Sequence, residues 1–517
     1  MRTPLILITL MFTLSAAAQP GWTRQDKRDY EEADFAFYQE DYVLAAQIFG
    51  LLYETHKDRS AMNWKYGAAL LNLNEQHALA VALLENALNA GEVEARFHFA
   101  KALHRSYELD DAIRHFTLYN DEDKKENGSL IIDRYIQMCQ RAKRMLANPV
   151  DVKITNLGPT INTPDKEYVP IVSADGSELF FTSRRSDSTA QLKDPNDEYF
   201  EDIYSSTKSA DAWGESENVG MPINSETHDA TVALSADGST LIIYRTNENL
   251  TGGDLYISEN LGDKWSNPSK LGPQINSDFQ EASVCLSANA SMMIFSSNRP
   301  GGFGGKDLYR VKRLPNGEWS LPKNLGPNIN STYDDDAPFL DFDEQTLYFS
   351  SKGHATMGGF DIFMSDKIDD ETWSIPENIG YPLNTVDDDI YLTVDAGGRR
   401  GYYSSEQRNG FGQLDIYQVD FLYRQQKTMV LKGELIDIDG NPVQGTITLF
   451  DQFERNIHGV YNSNANSGKF ILIINPLTIY KAFIEAQGYS TQEDELYFVL
   501  PKEGELDFQI APYVLMN

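Results

Sequence analysis

Cysteine is nearly absent: Cys139 and Cys285 are the only two in 517 residues. Two thiols so far apart exclude a disulfide framework and a cysteine metal site, which leaves two buried thiols as the expectation. Basic residues are outnumbered, 44 against 77 acidic, for a formal net charge of -33. Such a chain lacks the cationic surface that nucleic acid requires and is repelled by anionic membrane. The 8 histidines are scattered, and none stands at metal-ligand spacing from another. No long hydrophobic run follows the first residues, which excludes a transmembrane helix. G-x-S-x-G and H-E-x-x-H are also missing, so neither a serine hydrolase nor a zinc peptidase is encoded. The chain reads as a non-enzyme that needs no cofactor and no metal.

What is present begins with Arg2, an apolar run from Leu5 to Leu14 and the small residues Ser15 to Ala18. That order describes a secretory signal peptide over residues 1–18, cut after Ala18. No cysteine follows the run, so a lipid anchor is not expected. The destination is the periplasm, with the protein at most peripheral to the outer membrane.

Residues 19–148 carry helical periodicity, rich in Ala, Leu and Glu. Ala45 with Phe49, Ala80 with Leu84 and Ala112 with Phe116 put a small residue one turn before a large one. Gly67 and Ala100 supply small residues in the helices between. This spacing resembles the tetratricopeptide repeat, whose paired helices cross on small residues and present a concave face to a peptide or protein.

Residues 149–424 repeat one sentence five times. A hydrophobe and Gly lead to Asn162, Asn224, Asn276, Asn330 and Asn384; an Asp-hydrophobe-aromatic triplet follows at Asp202, Asp254, Asp307, Asp361 and Asp415. Between them, Ser173-Ala174-Asp175-Gly176 and its copies are hairpin turns. Each copy predicts four antiparallel strands, the unit of a β-propeller. The segment from Val152 to Leu157 is an extra fourth-type strand, and the last copy lacks one. A ring of five blades closed by its own N-terminal strand is therefore predicted, six blades being the alternative. The repeats resemble the TolB-type, WD-like propeller of periplasmic proteins.

Two sets of candidate residues emerge. Arg184, Arg245, Arg299 and Lys352, with Glu406 in the fifth copy, follow the second strand. They suggest either a cationic ring for a carboxylate or, as the preferred reading, structural pairing with the recurrent blade Asp. The interval from Ser183 to Asp202 is 19 residues, against 10 in the other four copies. The surplus carries Lys193, Asp194, Asn196, Tyr199 and Phe200, a candidate partner-binding loop, because insertions in repeat proteins fall in face loops. The runs Asp334 to Asp336 and Asp387 to Asp389 lack calcium-loop spacing and are expected to form a solvated acidic rim.

Residues 428–517 alternate around an Asp439-Gly440-Asn441-Pro442 turn and predict a small all-β sandwich, with Tyr423 to Met429 as a hinge. They resemble the carboxypeptidase regulatory-like domain. Taken in order, the modules resemble the PorE-type component of the Bacteroidota type IX secretion and gliding machinery, without its OmpA-like C-terminal domain. That resemblance implies a noncatalytic periplasmic scaffold. Its partners would be other cell-envelope proteins, secretion or gliding components, with at most an indirect association with peptidoglycan. A glycan- or peptidoglycan-binding propeller is the alternative.

Overall fold

The structure is a computed structural model that describes residues 21–122, 126–209, 212–262, 264–407, 410–451, 457–499 and 507–516. The signal peptide expected over residues 1–18 lies outside the described residues. The chain forms two compact units, Met1–Ile132 and Asp133–Asn517.

The first unit is a helical array: α1 (Arg24–Tyr38), α2 (Tyr42–Thr55), α3 (Ser60–Asn72), α4 (His77–Asn89), α5 (Ala95–Arg105), α6 (Leu109–Glu122) and the start of α7 (Glu126–Ala147). Thr23 caps α1 through a reciprocal pair with Asp26. α1 packs on α2, α3 on α4 and α5 on α6, with α2–α3 and α4–α5 contacts linking the pairs. The small residues sit where these helices cross. Ala45, Ala80, Ala100 and Ala112 are fully buried, and a Cβ on Gly67 would stand 2.9 Å from Leu84 Cγ and 3.0 Å from the Ala80 carbonyl.

The second unit holds five antiparallel blades among its described residues. Blade 1 runs outward through Glu167–Val172, Glu178–Ser183 and Asp202–Ser209 to the short Ala212–Trp213 and Glu217–Asn218. Blades 2 to 4 repeat the order from inner strands Asp229–Leu234, Val284–Leu286 and Asp335–Leu340. Blade 5 starts at Asp389–Val394, and its outer strand is Val152–Asn156, paired antiparallel with Asp415–Phe421. The first strand thus closes the last blade, as the strand count predicted.

Each inner strand touches the next, and that of blade 5 touches that of blade 1. Separate apolar clusters fill the five seams. One joins Phe181 and Tyr204 of blade 1 to Tyr402 and Ile416 of blade 5. Another joins Phe295 and Tyr309 of blade 3 to Ile242 and Leu255 of blade 2. Because the seams form a cycle, no blade face is left uncovered.

The sandwich stacks two sheets over a core that includes Leu431, Leu435, Ile447 and Leu472, all fully buried. It sits on the propeller end that carries the hairpin turns. Val430 and Ile473 pack with Ala174, Ala236 and Ala396 of three such turns. Lys432 pairs with Asp175 at 2.5 Å, Lys427 with Asp343 at 2.8 Å and Arg424 with Asp341 at 3.1 Å. The expected hinge at Tyr423 to Met429 is therefore tied down by two ion pairs and by buried Met429. Both cysteines are free and buried, and burial pushes each thiol up to about 12.

Candidate functional site

Antiparallel geometry puts the hairpin turns at the sandwich end of the ring and the longer loops at the other. At that loop end each blade builds one hydrogen-bond circuit. The motif Asn bridges the triplet strand: Asn224 Oδ1 accepts from the Ile203 amide and its Nδ2 donates to the Ile203 carbonyl, both at 2.9 Å. Asn276, Asn330 and Asn384 do the same to Leu255, Leu308 and Ile362.

Five residues after each Asn stands a buried carboxylate: Glu167, Asp229, Glu281, Asp335 or Asp389. Each accepts the amide of the residue after the Asn, from 2.5 Å at Ser331 to 2.9 Å at Ser277. Burial raises most of them, Asp335 to about 7.

The basic residues pair differently from the expectation. Arg185, Arg245, Arg299 and His354 donate to or contact the carbonyl just before the motif Asn, at Ile161, Ile223, Ile275 and Ile329. The three arginines also meet the buried carboxylates, Arg245 to Asp229 at 2.5 Å and Arg299 to Glu281 at 3.1 Å. These contacts link the arginines to two points of one blade, and the acid they meet is not the triplet Asp. That Asp instead accepts loop amides, as Asp307 does from Phe303 at 2.8 Å and Gly304 at 2.9 Å.

Nor do the five residues singled out in sequence share one register. Arg184, Lys352 and Glu406 do, each donating its backbone amide to the residue before a buried carboxylate, at Lys166, Asp334 and Asp388. Thr246 and Asn298 hold that place in blades 2 and 3. Arg245 lies one residue earlier, opposite Asp229, and Arg299 one residue later. The interval in blade 2 is accordingly 9 residues from Arg245 to Asp254, not 10. Lys352 lies over the Phe360 ring, 4.5 Å from its centroid. Arg185 was legible in sequence from its phase with Arg299, each two residues past a strand-ending serine.

The acidic runs are not a solvated rim. Asp335, Asp336, Asp387 and Asp389 are buried, Asp334 accepts from the Lys306 amide and Asp388 from that of Phe360. Gly305 and Gly359 let those loops approach closely, since a Cβ at either would strike the aspartate.

One feature of this face is not repeated, the blade 1 insertion. Arg184 is its anchor, reaching Asp194 at 2.8 Å, Glu198 at 2.9 Å and Glu201 at 3.0 Å. Burial opposes the charge on Glu201, but His228, Arg184 and the Tyr168 hydroxyl outweigh it and bring the carboxyl down to about 2. Buried Phe200 stacks on His228 with centroids 4.2 Å apart. Lys193 pairs with Asp197 at 3.0 Å and lies over the Tyr199 ring at 4.8 Å. Asp194 also accepts from the Asn196 amide, closing a turn.

The five loop residues therefore divide. Asp194 and Phe200 are fasteners, Tyr199 is half-buried, and Lys193 and Asn196 are exposed beside Leu192, 54% exposed. Tyr168, Glu201 and His228 complete the fastening and carry no repeat-level signal in sequence.

A concavity lies between blades 1 and 2 and the sandwich, a cleft of about 670 Å³ lined among others by Glu178, Asp237, Asn260, Asn462, Asn464 and Lys469.

No family model and no curated protein sequence matches the chain. Solved structures similar to it include TolB from Acinetobacter baumannii, at 15% identity over 52% of this chain and 57% of that one, with a TM-score of 0.33. A TolB-type protein from Agrobacterium tumefaciens has 14% identity over 63% and 97%, TM-score 0.32. An alpha-L-arabinofuranosidase from Lactobacillus brevis has 11% identity over 51% and 91%, TM-score 0.33. Such scores bear neither on the fold, which the strand register establishes, nor on the chemistry.

Proposed function

We propose that this chain is a noncatalytic scaffold of the cell envelope that works by binding other proteins, in the periplasm, as a component of a type IX secretion or gliding assembly. The observation that carries the binding role is the blade 1 loop. Three carboxylates on one arginine and a buried aromatic stack fasten it to the blade, yet it turns Leu192, Lys193 and Asn196 to solvent. An exposed apolar residue flanked by polar ones on a preorganised loop binds without a large ordering cost. The order of the modules supports the assembly named, and no described helix is long and apolar enough to cross a membrane.

A photo-crosslinking amino acid at position 196, used in cells of the source organism, tests the scaffold. Capture of a cell-envelope protein is expected, and its loss in Leu192→Asp. Absence of any protein adduct would reject this reading.

The alternative, a glycan reader, draws on the cleft of about 670 Å³, whose amide and carboxylate lining suits a hydroxyl-rich ligand. Retention of the full chain on peptidoglycan, abolished by Asn464→Ala, would favour it over the scaffold.

A further inference from the structure

Helix α7 continues into the second unit, and there two of its arginines are seated on the loop end of blade 4. The Arg134 guanidinium lies over the Tyr333 ring, 3.7 Å from its centroid, and donates to the Lys352 carbonyl. Two turns further along, Arg141 donates to the Thr356 carbonyl at 3.3 Å. Cys139 and Ala142 of the helix are buried, and so are Thr356 and Met357 of the loop. The chain thus holds its own example of a helix docked on a blade.

Blade 3 repeats this platform 54 residues earlier, with Phe279 for Tyr333, Asn298 for Lys352, Gly302 for Thr356 and Phe303 for Met357. The backbone frames agree. Glu281 and Asp335 accept the amides of Ser277 and Ser331, and Asp307 and Asp361 accept those of the two loops, at Phe303 and Gly304 and at Met357 and Gly358. Yet Phe303 is 48% exposed where Met357 is 0% exposed, Phe279 is 45% exposed, and Asn298 and Gly302 also face solvent. The same platform is covered on one blade and open on its neighbour. The two are continuous, since Gly304 lets the Phe303 loop close on the Tyr333 backbone.

Charge defines the kind of helix that fits. Exposed Asp278 replaces Thr332 and Asn298 replaces Lys352, so the open platform gains an acid and loses a cation. Asp334, which Gln280 replaces, is already taken by the Lys306 amide, and Arg299 turns inward to Glu281. A guanidinium suits this setting better than an ammonium, because its flat face stacks on a ring while its edge donates to a carbonyl.

We propose that blade 3 carries a docking site for an arginine-bearing amphipathic helix of another protein, seated on Phe279 and Phe303 as α7 is seated on blade 4. The site lies apart from the blade 1 loop and does not depend on what that loop binds, so either can fail alone.

The probe is a fluorescein-labelled peptide with the sequence of residues 130–147, carrying Cys139→Ser, titrated with the full chain and read by polarisation. Saturable binding is expected. Phe279→Ala and Phe303→Ala should each weaken it about tenfold, whereas Phe279→Tyr, which supplies the ring found in blade 4, should not. Both rings are exposed, so the alanine variants should melt with the wild type. The peptide with Arg134→Gln and Arg141→Gln should also bind about tenfold more weakly. No binding by the wild type would overturn the proposal. Binding left unchanged by both alanine variants would overturn it too, since the peptide would then only be exchanging with α7 on blade 4. So would self-association of the chain at the same concentrations, abolished by Phe303→Ala, which would make a second copy the occupant.

Discussion

Asn162 and Ile416 are 254 positions apart in sequence, yet the Asn162 amide donates to the Ile416 carbonyl at 2.9 Å and its carbonyl accepts from the Ile416 amide at 2.8 Å. This pair does for the ring what the equivalent pair does inside each other blade. It makes the seam between the ends of the propeller the same as the seams between neighbours.

Asn162→Ala should therefore act as a ring-opening change. It orphans two buried backbone groups, each costing about 1–3 kcal/mol. Unfolding of the second unit should become easier by a few kcal/mol, and hydrogen exchange should rise first along Val152–Asn156 and Asp415–Phe421. Asn276→Ala, inside the ring, should lose similar stability without exposing that strand pair.

The ring should be more stable on the acid side of neutrality. Burial raises Asp335 and Asp361 to about 7, whereas the unfolded chain releases these protons near pH 4. The stabilisation from holding them is complete below that value and is lost as pH rises through about 7. Between pH 6.5 and 8.5 each should cost about 1 kcal/mol. His354 and His458, held low by burial, act in the opposite sense up to the acid edge of that window, where the unfolded imidazoles lose their protons. Denaturant unfolding across the window should show the decline, and Asp335→Asn should flatten it.

The helical unit should tolerate no side chain at position 67. A Cβ there overlaps Leu84 and the Ala80 carbonyl, and forced overpacking costs about 1–3 kcal/mol. Gly67→Ala should lower the melting of the helical circular dichroism signal while leaving the propeller transition in place.

Arg184→Met should release the blade 1 loop without unfolding its blade. Asp194, Glu198 and Glu201 would lose their shared partner, so amide exchange over residues 186–200 should quicken by about tenfold or more. Equal exchange in wild type and variant would show that the Phe200–His228 stack alone holds the loop.

The repeated polar residues are less legible in the sequence than the repeated strands. A strand announces itself by alternation over several positions, so the blade count and the closing strand at Val152–Asn156 could be read directly. A hydrogen bond depends on one residue of register. The series Arg184, Arg245, Arg299, Lys352 and Glu406 mixes three registers that spacing alone does not separate. The aspartate runs hide their burial for a related reason. Charge in sequence suggests solvent, but the glycines at 305 and 359 let backbone amides close over those carboxylates.

By itself the sequence determined a paired-helix array, a five-bladed ring and a sandwich, because each rests on periodic burial that local order enforces. Only the tertiary structure decided that the sandwich seats on the hairpin turns and that Arg184 gathers three acids from the inserted loop. Those facts depend on which side chains meet across distant segments, and such meetings leave no period to read.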